Sequence, residues 1–141
     1  MQKRNHAELR GRSSFSGKPR VLVVDRSSLD GRVLEELLRP MAEVSVRCNV
    51  WTAVKFIDSE GERLSAIFVE GQLLLSSSIS DHWIKSARRT GPRIVALYDN
   101  KQDEIRQDLS RFGVVASVRK PYDDRLLAKL VRDFGAAKLS T

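Results

Sequence analysis

A chain of 141 residues is one domain's worth, long enough to bury most of its apolar surface without help from metals or disulfides. Its single cysteine, Cys48, excludes an intramolecular disulfide, and no apolar run reaches the roughly 18 to 20 residues that span a bilayer; the N-terminus, though basic, is not followed by an apolar signal segment, so a cytoplasmic protein is expected. The net charge of +7 divides unevenly: Lys3, Arg4, Arg10, Arg12, Lys18 and Arg20 against Glu8 place +5 of it in residues 1–20, and residues 21–141 hold 19 cations against 17 acids.

Residues 1–19 have too few large apolar side chains to offset the entropy of ordering them and read as a flexible basic tail. The tail suits two uses, a solvated leader or an anion-binding arm. From Arg20 to residue 135 short β-branched runs alternate with helical stretches, which predicts βα units on a parallel sheet. Strand one is Arg20 to Asp25. Ser27 or Ser28 then caps a helix to Arg39, where Leu29, Val33, Leu34, Leu37 and Leu38 form a core face and Pro40 stops it. Strand two, Glu43 to Arg47, alternates as an edge strand does. A helix over Asn49 to Ser59 puts Val50, Val54 and Ile57 on one side. Strand three, Ala66 to Glu70, is apolar enough to be central. Gly71 to Ser80 is irregular and leads into a helix over about Ser80 to Arg89. Strand four is Arg93 to Tyr98, and the helix Gln102 to Phe112 ends at Gly113, where positive φ is commonly needed. Strand five is Val114 to Arg119. The last helix, Asp123 to Phe134, buries Leu126, Leu127, Leu130 and Val131, and residues 136–141 form a short tail.

Three of these strands end in groups that carry chemistry. Val21-Leu22-Val23-Val24 delivers Asp25, Ala66-Ile67-Phe68-Val69 delivers Glu70, and Val118-Arg119 delivers Lys120, followed by Pro121. In open parallel α/β sheets, functional groups gather at the carboxyl ends of strands near the reversal of strand order. An acid after strand one, an acid after strand three and Lys-Pro after strand five, in a (βα)5 chain, resembles the receiver domain of two-component response regulators over about Arg20 to Phe134. The resemblance implies a flavodoxin-like, doubly wound parallel sheet of five strands in the order 2-1-3-4-5. It also implies a cis Lys120-Pro121 peptide that aims the lysine into the pocket.

In that family two acids after strand one bind Mg²⁺, an aspartate after strand three accepts a phosphoryl group from a histidine kinase, and a Ser/Thr after strand four and the lysine hold that group. Carried onto this chain, Asp25 keeps the first acid, Arg26 stands at the second, Glu70 at the phosphoacceptor, Tyr98 at the Ser/Thr position, Ser117 at the aromatic switch position and Lys120 at the lysine. A cation in place of an oxygen ligand removes Mg²⁺ binding, and one extra methylene displaces the nucleophile where small misplacements cost about 100-fold. No enzyme activity, cofactor or metal is expected. Glu70 reaches farther than aspartate and is expected to pair with Lys120 or Arg26, its main role being to hold Lys120.

The function expected is therefore a phosphorylation-independent protein-interaction module of bacterial signal transduction, a degenerate receiver. Its partner, a signalling protein or a second copy, would bind the surface of the fourth helix, fifth strand and fifth helix, with Tyr98, Gln102, Arg106, Ser117 and Lys120 as candidate contacts. Because no effector segment follows Thr141, output is expected to go through such contacts. The alternative is a binder of a cyclic dinucleotide or nucleic acid through Arg10, Arg12, Arg20, Arg88, Arg89 and Arg93, since arginine forks suit phosphate. His6 and His82 lack the neighbours that catalysis needs, and Trp83 reads as a helix-face residue.

Overall fold

A computed structural model of the chain describes residues 18–75, 85, 87, 89–99 and 113–139. The elements are β1 (Arg20–Val24), α1 (Ser28–Leu38), β2 (Glu43–Arg47), α2 (Val50–Glu60), a 3₁₀ turn (Gly61–Arg63), β3 (Leu64–Glu70), α3 (Gly71–Leu75), β4 (Arg93–Tyr98), β5 (Val114–Arg119) and α4 (Asp124–Leu139). All strand pairs are parallel and the order is β2-β1-β3-β4-β5, as the resemblance implied.

Alternation along the strands sends successive side chains to opposite faces, and this splits the core in two. On one face Leu22, Val24, Ile67, Val69 and Ala96 meet Val54 and Ile57 of α2 and Leu74 of α3. On the other, Val23, Phe68, Val95, Leu97 and Val118 meet Leu34 and Leu38 of α1 and Leu127 and Val131 of α4. All seven residues of β3 are buried, which is why its sequence is almost purely apolar. At the edge, β2 pairs only with β1 among the described residues. There Arg47 stacks on the Phe56 ring at 4.7 Å and donates from Nη1 to the carbonyl of Val46 at 2.8 Å.

Local chemistry explains the helix starts. Ser27 caps α1 by accepting from the Asp30 amide at 3.1 Å, and Asn49 caps α2 by accepting from the Thr52 amide at 2.9 Å, each satisfying a donor that the first turn leaves without a partner. Gly113 has φ +78° ahead of β5, the left-handed backbone foreseen for it. Two glycines allow close approach: a Cβ on Gly61 would lie 2.5 Å from the Thr90 hydroxyl, and one on Gly135 would lie 3.2 Å from Pro19.

Several expectations are corrected. Leu29 and Val33 are not core: their side chains are 70 % and 46 % exposed. At about 100° per residue they lie about 140° and 100° round the helix from buried Leu34, beyond the arc that the sheet covers. Leu126 is exposed for the same reason, about 100° from Leu127. Strand three starts earlier, at Leu64, and the last helix runs past Phe134 to Leu139, with Gly135 fitted against Pro19. The expected helices around Ser80–Arg89 and Gln102–Phe112 fall largely outside the described residues, although Lys85, Ala87, Arg89 and Thr90 are helical. The basic tail before Lys18 lies outside them as well.

Candidate functional site

β1 ends at Val24, so Asp25 is the first residue to leave the sheet, and its amide still donates to the Arg47 carbonyl at 3.1 Å. The carboxylate is 1 % exposed. Its Oδ1 accepts from the Ser27 amide at 2.9 Å and its Oδ2 from Lys120 Nζ at 2.8 Å. The same ammonium donates to Asp30 Oδ2 at 2.8 Å. Asp30 was not foreseen as part of the site; an acid in a first helical turn ordinarily reads as a partner for the helix dipole, and only the fold brings it to the end of β5. Lys120 is fixed from behind, where its amide donates to the Tyr98 carbonyl at 2.7 Å and its peptide bond to Pro121 is cis.

Glu70 ends β3 and is 7 % exposed. It does not hold Lys120. Its Oε1 accepts from the Arg26 amide at 3.2 Å and from Nε at 2.9 Å, and its Oε2 accepts from Nη2 at 2.7 Å. The reason is geometric: a guanidinium offers two parallel donors to a carboxylate, whereas the ammonium already has Asp25 and Asp30. Burial opposes ionisation of Glu70, but the hydrogen bonds from Arg26, with Lys120 nearby, outweigh it and hold the carboxyl below its ordinary value. For Lys120, burial is likewise outweighed by Asp25 and Asp30, and its ammonium is held well above the ordinary lysine value. Burial pushes the Tyr122 phenol up; its hydroxyl is buried with no hydrogen-bond partner among the described residues.

The pocket thus joins three carboxylates to two cations, tying together the ends of β1, β3 and β5 and the start of α1. These residues do not fit a divalent ion. Asp25 and Glu70 each already face a cation, Arg26 supplies no oxygen ligand, and no group of three or more His, Cys, Asp or Glu side chains among the described residues could share a metal.

The other candidates scatter. Tyr98 is 5 % exposed with the Arg119 guanidinium 5.8 Å from its ring centre; packed at the end of β4, it offers little surface to a partner. Ser117 and Lys120 are half-buried. Arg20 pairs with Glu60 at 3.5 Å and Arg89 with Asp58 at 3.0 Å, and Arg93 is exposed at the start of β4, at the end of the sheet opposite the pocket. Arg10, Arg12, Arg88, Gln102, Arg106, His6, His82 and Trp83 lie outside the described residues.

No protein-family model matches the sequence, and no curated protein matches it. The likeness is to solved structures. The signal receiver domain of an HD domain-containing protein from Pseudomonas fluorescens superposes with a TM-score of 0.72 at 16 % identity, over 89 % of this chain and 92 % of that one. A response regulator receiver domain protein from Clostridium thermocellum gives 0.73 at 14 % identity, over 86 % and 98 %. The receiver domain of the Saccharomyces cerevisiae response regulator Ssk1, crystallised with the histidine phosphotransfer protein Ypd1, gives 0.67 at 21 % identity, over 86 % and 92 %. What is shared at these identities is the fold. No helix among the described residues is long and apolar enough to cross a membrane.

Proposed function

We propose that this chain, whose fold is that of response-regulator receiver domains, is a non-enzymatic signalling module that binds its protein partner without receiving a phosphoryl group. The observation that carries the reading is the closure of the pocket on itself: Arg26 takes both oxygens of Glu70, and Lys120 takes Asp25 and Asp30. In-line phosphoryl transfer relies on metal ions and cations aimed at the charge that develops in the transition state. Here those cations are committed to internal carboxylates, and the would-be nucleophile faces a guanidinium.

A protein partner is supported by the Ssk1 receiver, which shares the fold and was solved with Ypd1 bound. Of the residues proposed for the switch surface, Ser117 and Lys120 retain access, whereas buried Tyr98 would act by packing. A nucleotide-binding reading draws less support, because Arg20 and Arg89 are engaged by Glu60 and Asp58.

The test is titration with Mg²⁺ and beryllofluoride followed by amide chemical shifts, alongside labelling by acetyl phosphate. The expected result is no saturable shift and no label. Saturable Mg²⁺-dependent shifts, or a label that vanishes in Glu70→Ala, would overturn the proposal.

A further inference from the structure

We propose that the Tyr122 side chain has two positions at the start of α4, one with its ring in the core and one with its ring turned out and its hydroxyl in water. The inference rests on reading the chain as an interaction module, and it gives that module a part that moves without a phosphoryl group.

Local chemistry says why the ring goes in. Asp123 caps α4: its Oδ1 accepts from the amides of Arg125 at 2.9 Å and Leu126 at 3.4 Å, and its carbonyl accepts from the amide of Leu127 at 3.0 Å. Tyr122 is therefore the residue ahead of the cap and Leu127 the fourth of the helix, the two places where apolar side chains fasten the entry of a helix. Both belong to the core layer under α1 and α4, Leu127 fully buried and Tyr122 half-buried against it. Such packing asks only for a ring.

The hydroxyl is the part that the inner position leaves unused. Its oxygen is shut off from water and has no hydrogen-bond partner among the described residues. Burial, opposed by Lys120 and joined by Asp25, Asp30 and Glu70, pushes its titration up, so the phenol is a neutral donor. The three carboxylates beside it are turned to cations instead, Asp25 and Asp30 to Lys120 and Glu70 to Arg26. A buried hydroxyl without a partner costs about as much as a lost hydrogen bond. Turning the ring out restores that bond with water and gives up only the apolar area that a half-buried ring had covered. The two costs oppose each other at similar size, and both positions are therefore occupied.

The backbone takes little part in the motion. Lys120 is held through its amide to the Tyr98 carbonyl at 2.7 Å and Asp123 by its cap, which leaves rotation of the side chain. Pro121, Asp123, Asp124 and Leu126 are all exposed, so the space outside is open. A protein partner that covers the start of α4 meets a phenol beside Leu126 in the outer position and Leu126 without it in the inner one.

The chain has two tyrosines, Tyr98 and Tyr122, so ring-¹³C tyrosine gives signals that Tyr122→Phe assigns. Relaxation dispersion on the full chain should show the Tyr122 ring exchanging with a second position populated to at least about 1 %. Exchange at the Lys120 and Leu127 amides should vanish in Tyr122→Phe. That variant keeps the ring and drops the stranded hydroxyl, so its urea midpoint should rise. A single ring position, a midpoint that is unchanged or lower, or a long-lived hydroxyl proton signal marking an interior acceptor would overturn the proposal. None of these readouts needs Mg²⁺ or beryllofluoride. A label from acetyl phosphate would sink the module reading and leave the two ring positions to be measured as before, so the two failures are distinguishable.

Discussion

Arg26 and Glu70 are joined by a two-pronged ion pair whose partners differ in exposure, 58 % for the arginine side chain and 9 % for the glutamate. The two halves of the pair are therefore not equivalent to break. Glu70→Gln leaves an arginine that water can reach, and the loss should be about 1 kcal/mol, in the range of exposed pairs. Arg26→Ala strands a buried carboxylate and should cost about 3 kcal/mol, toward the range for broken buried pairs. Urea unfolding of both single variants and of the double variant will show the order, and the double variant should be more stable than Arg26→Ala alone.

The lysine end behaves in the same way. Lys120→Met leaves Asp25, almost fully buried, with only the Ser27 amide, and should destabilise by about 3 kcal/mol. Asp30→Asn leaves the Lys120–Asp25 contact in place and should cost about 0.5 kcal/mol, since Asp30 is well exposed. Equal losses in the two variants, measured by urea unfolding, would show that Asp30 holds the lysine as firmly as Asp25 does.

Both ion pairs predict a pH profile. Glu70 has a depressed pKa, so its contribution to stability is present above its ordinary value of 4.5 and is lost as pH falls through its native value. Lys120 has a raised pKa, so its contribution is full below 10.5 and is lost as pH rises through its native value. Between 4.5 and 10.5 these two groups add no slope. Unfolding midpoints should fall at pH below 4.5 and above 10.5, and Arg26→Ala should shrink the acid-side fall.

Replacing the internal cation should open the pocket to a metal. Arg26→Asp combined with Glu70→Asp leaves several carboxylate oxygens together, the donors that Mg²⁺ requires. Isothermal titration and amide shifts should detect Mg²⁺ binding in that double variant and none in the natural chain.

Away from the pocket, Gly61→Ala places a Cβ against the buried Thr90 side chain and should lower stability by about 1 to 3 kcal/mol through overpacking. Gly61→Ala with Thr90→Ala removes both the hydroxyl and the methyl that crowd the new atom and should recover part of the loss in urea unfolding.

The sequence pattern made the sheet legible because the chemistry of strands is local. β2, β4 and β5 fall on the expected residues, bounded by turn formers such as Gly91, Pro92 and Gly113. The ends of β1, β3 and β5 carried Asp25, Glu70 and Lys120 to one place, as expected of parallel strands. Which carboxylate meets which cation was not legible. Asp25 and Arg26 share the loop after β1 while Asp30, Glu70 and Lys120 come from three other places in the chain, and the choice depends on side-chain reach and on the fork of the guanidinium, which spacing along the chain does not encode. The ridge of α1 failed for another reason: a three-four repeat shows that Leu29, Val33 and Leu34 share a broad face, and only the width of the covering layer decides how much of that face is core.

The contact between Arg47 and Val46 has a consequence for how this molecule behaves in a crowd. Along β2 the carbonyls of Glu43, Ser45 and Arg47 turn toward β1, so those of Val44 and Val46 point out of the sheet, where a neighbouring chain could add a strand. At Val46 that acceptor is already satisfied by the guanidinium of the next residue, which the Phe56 ring holds in place. A sixth strand arriving at this border finds a bulky cation across its path, and Arg47→Ala would expose a flat strip on which copies of the protein can stack into aggregates.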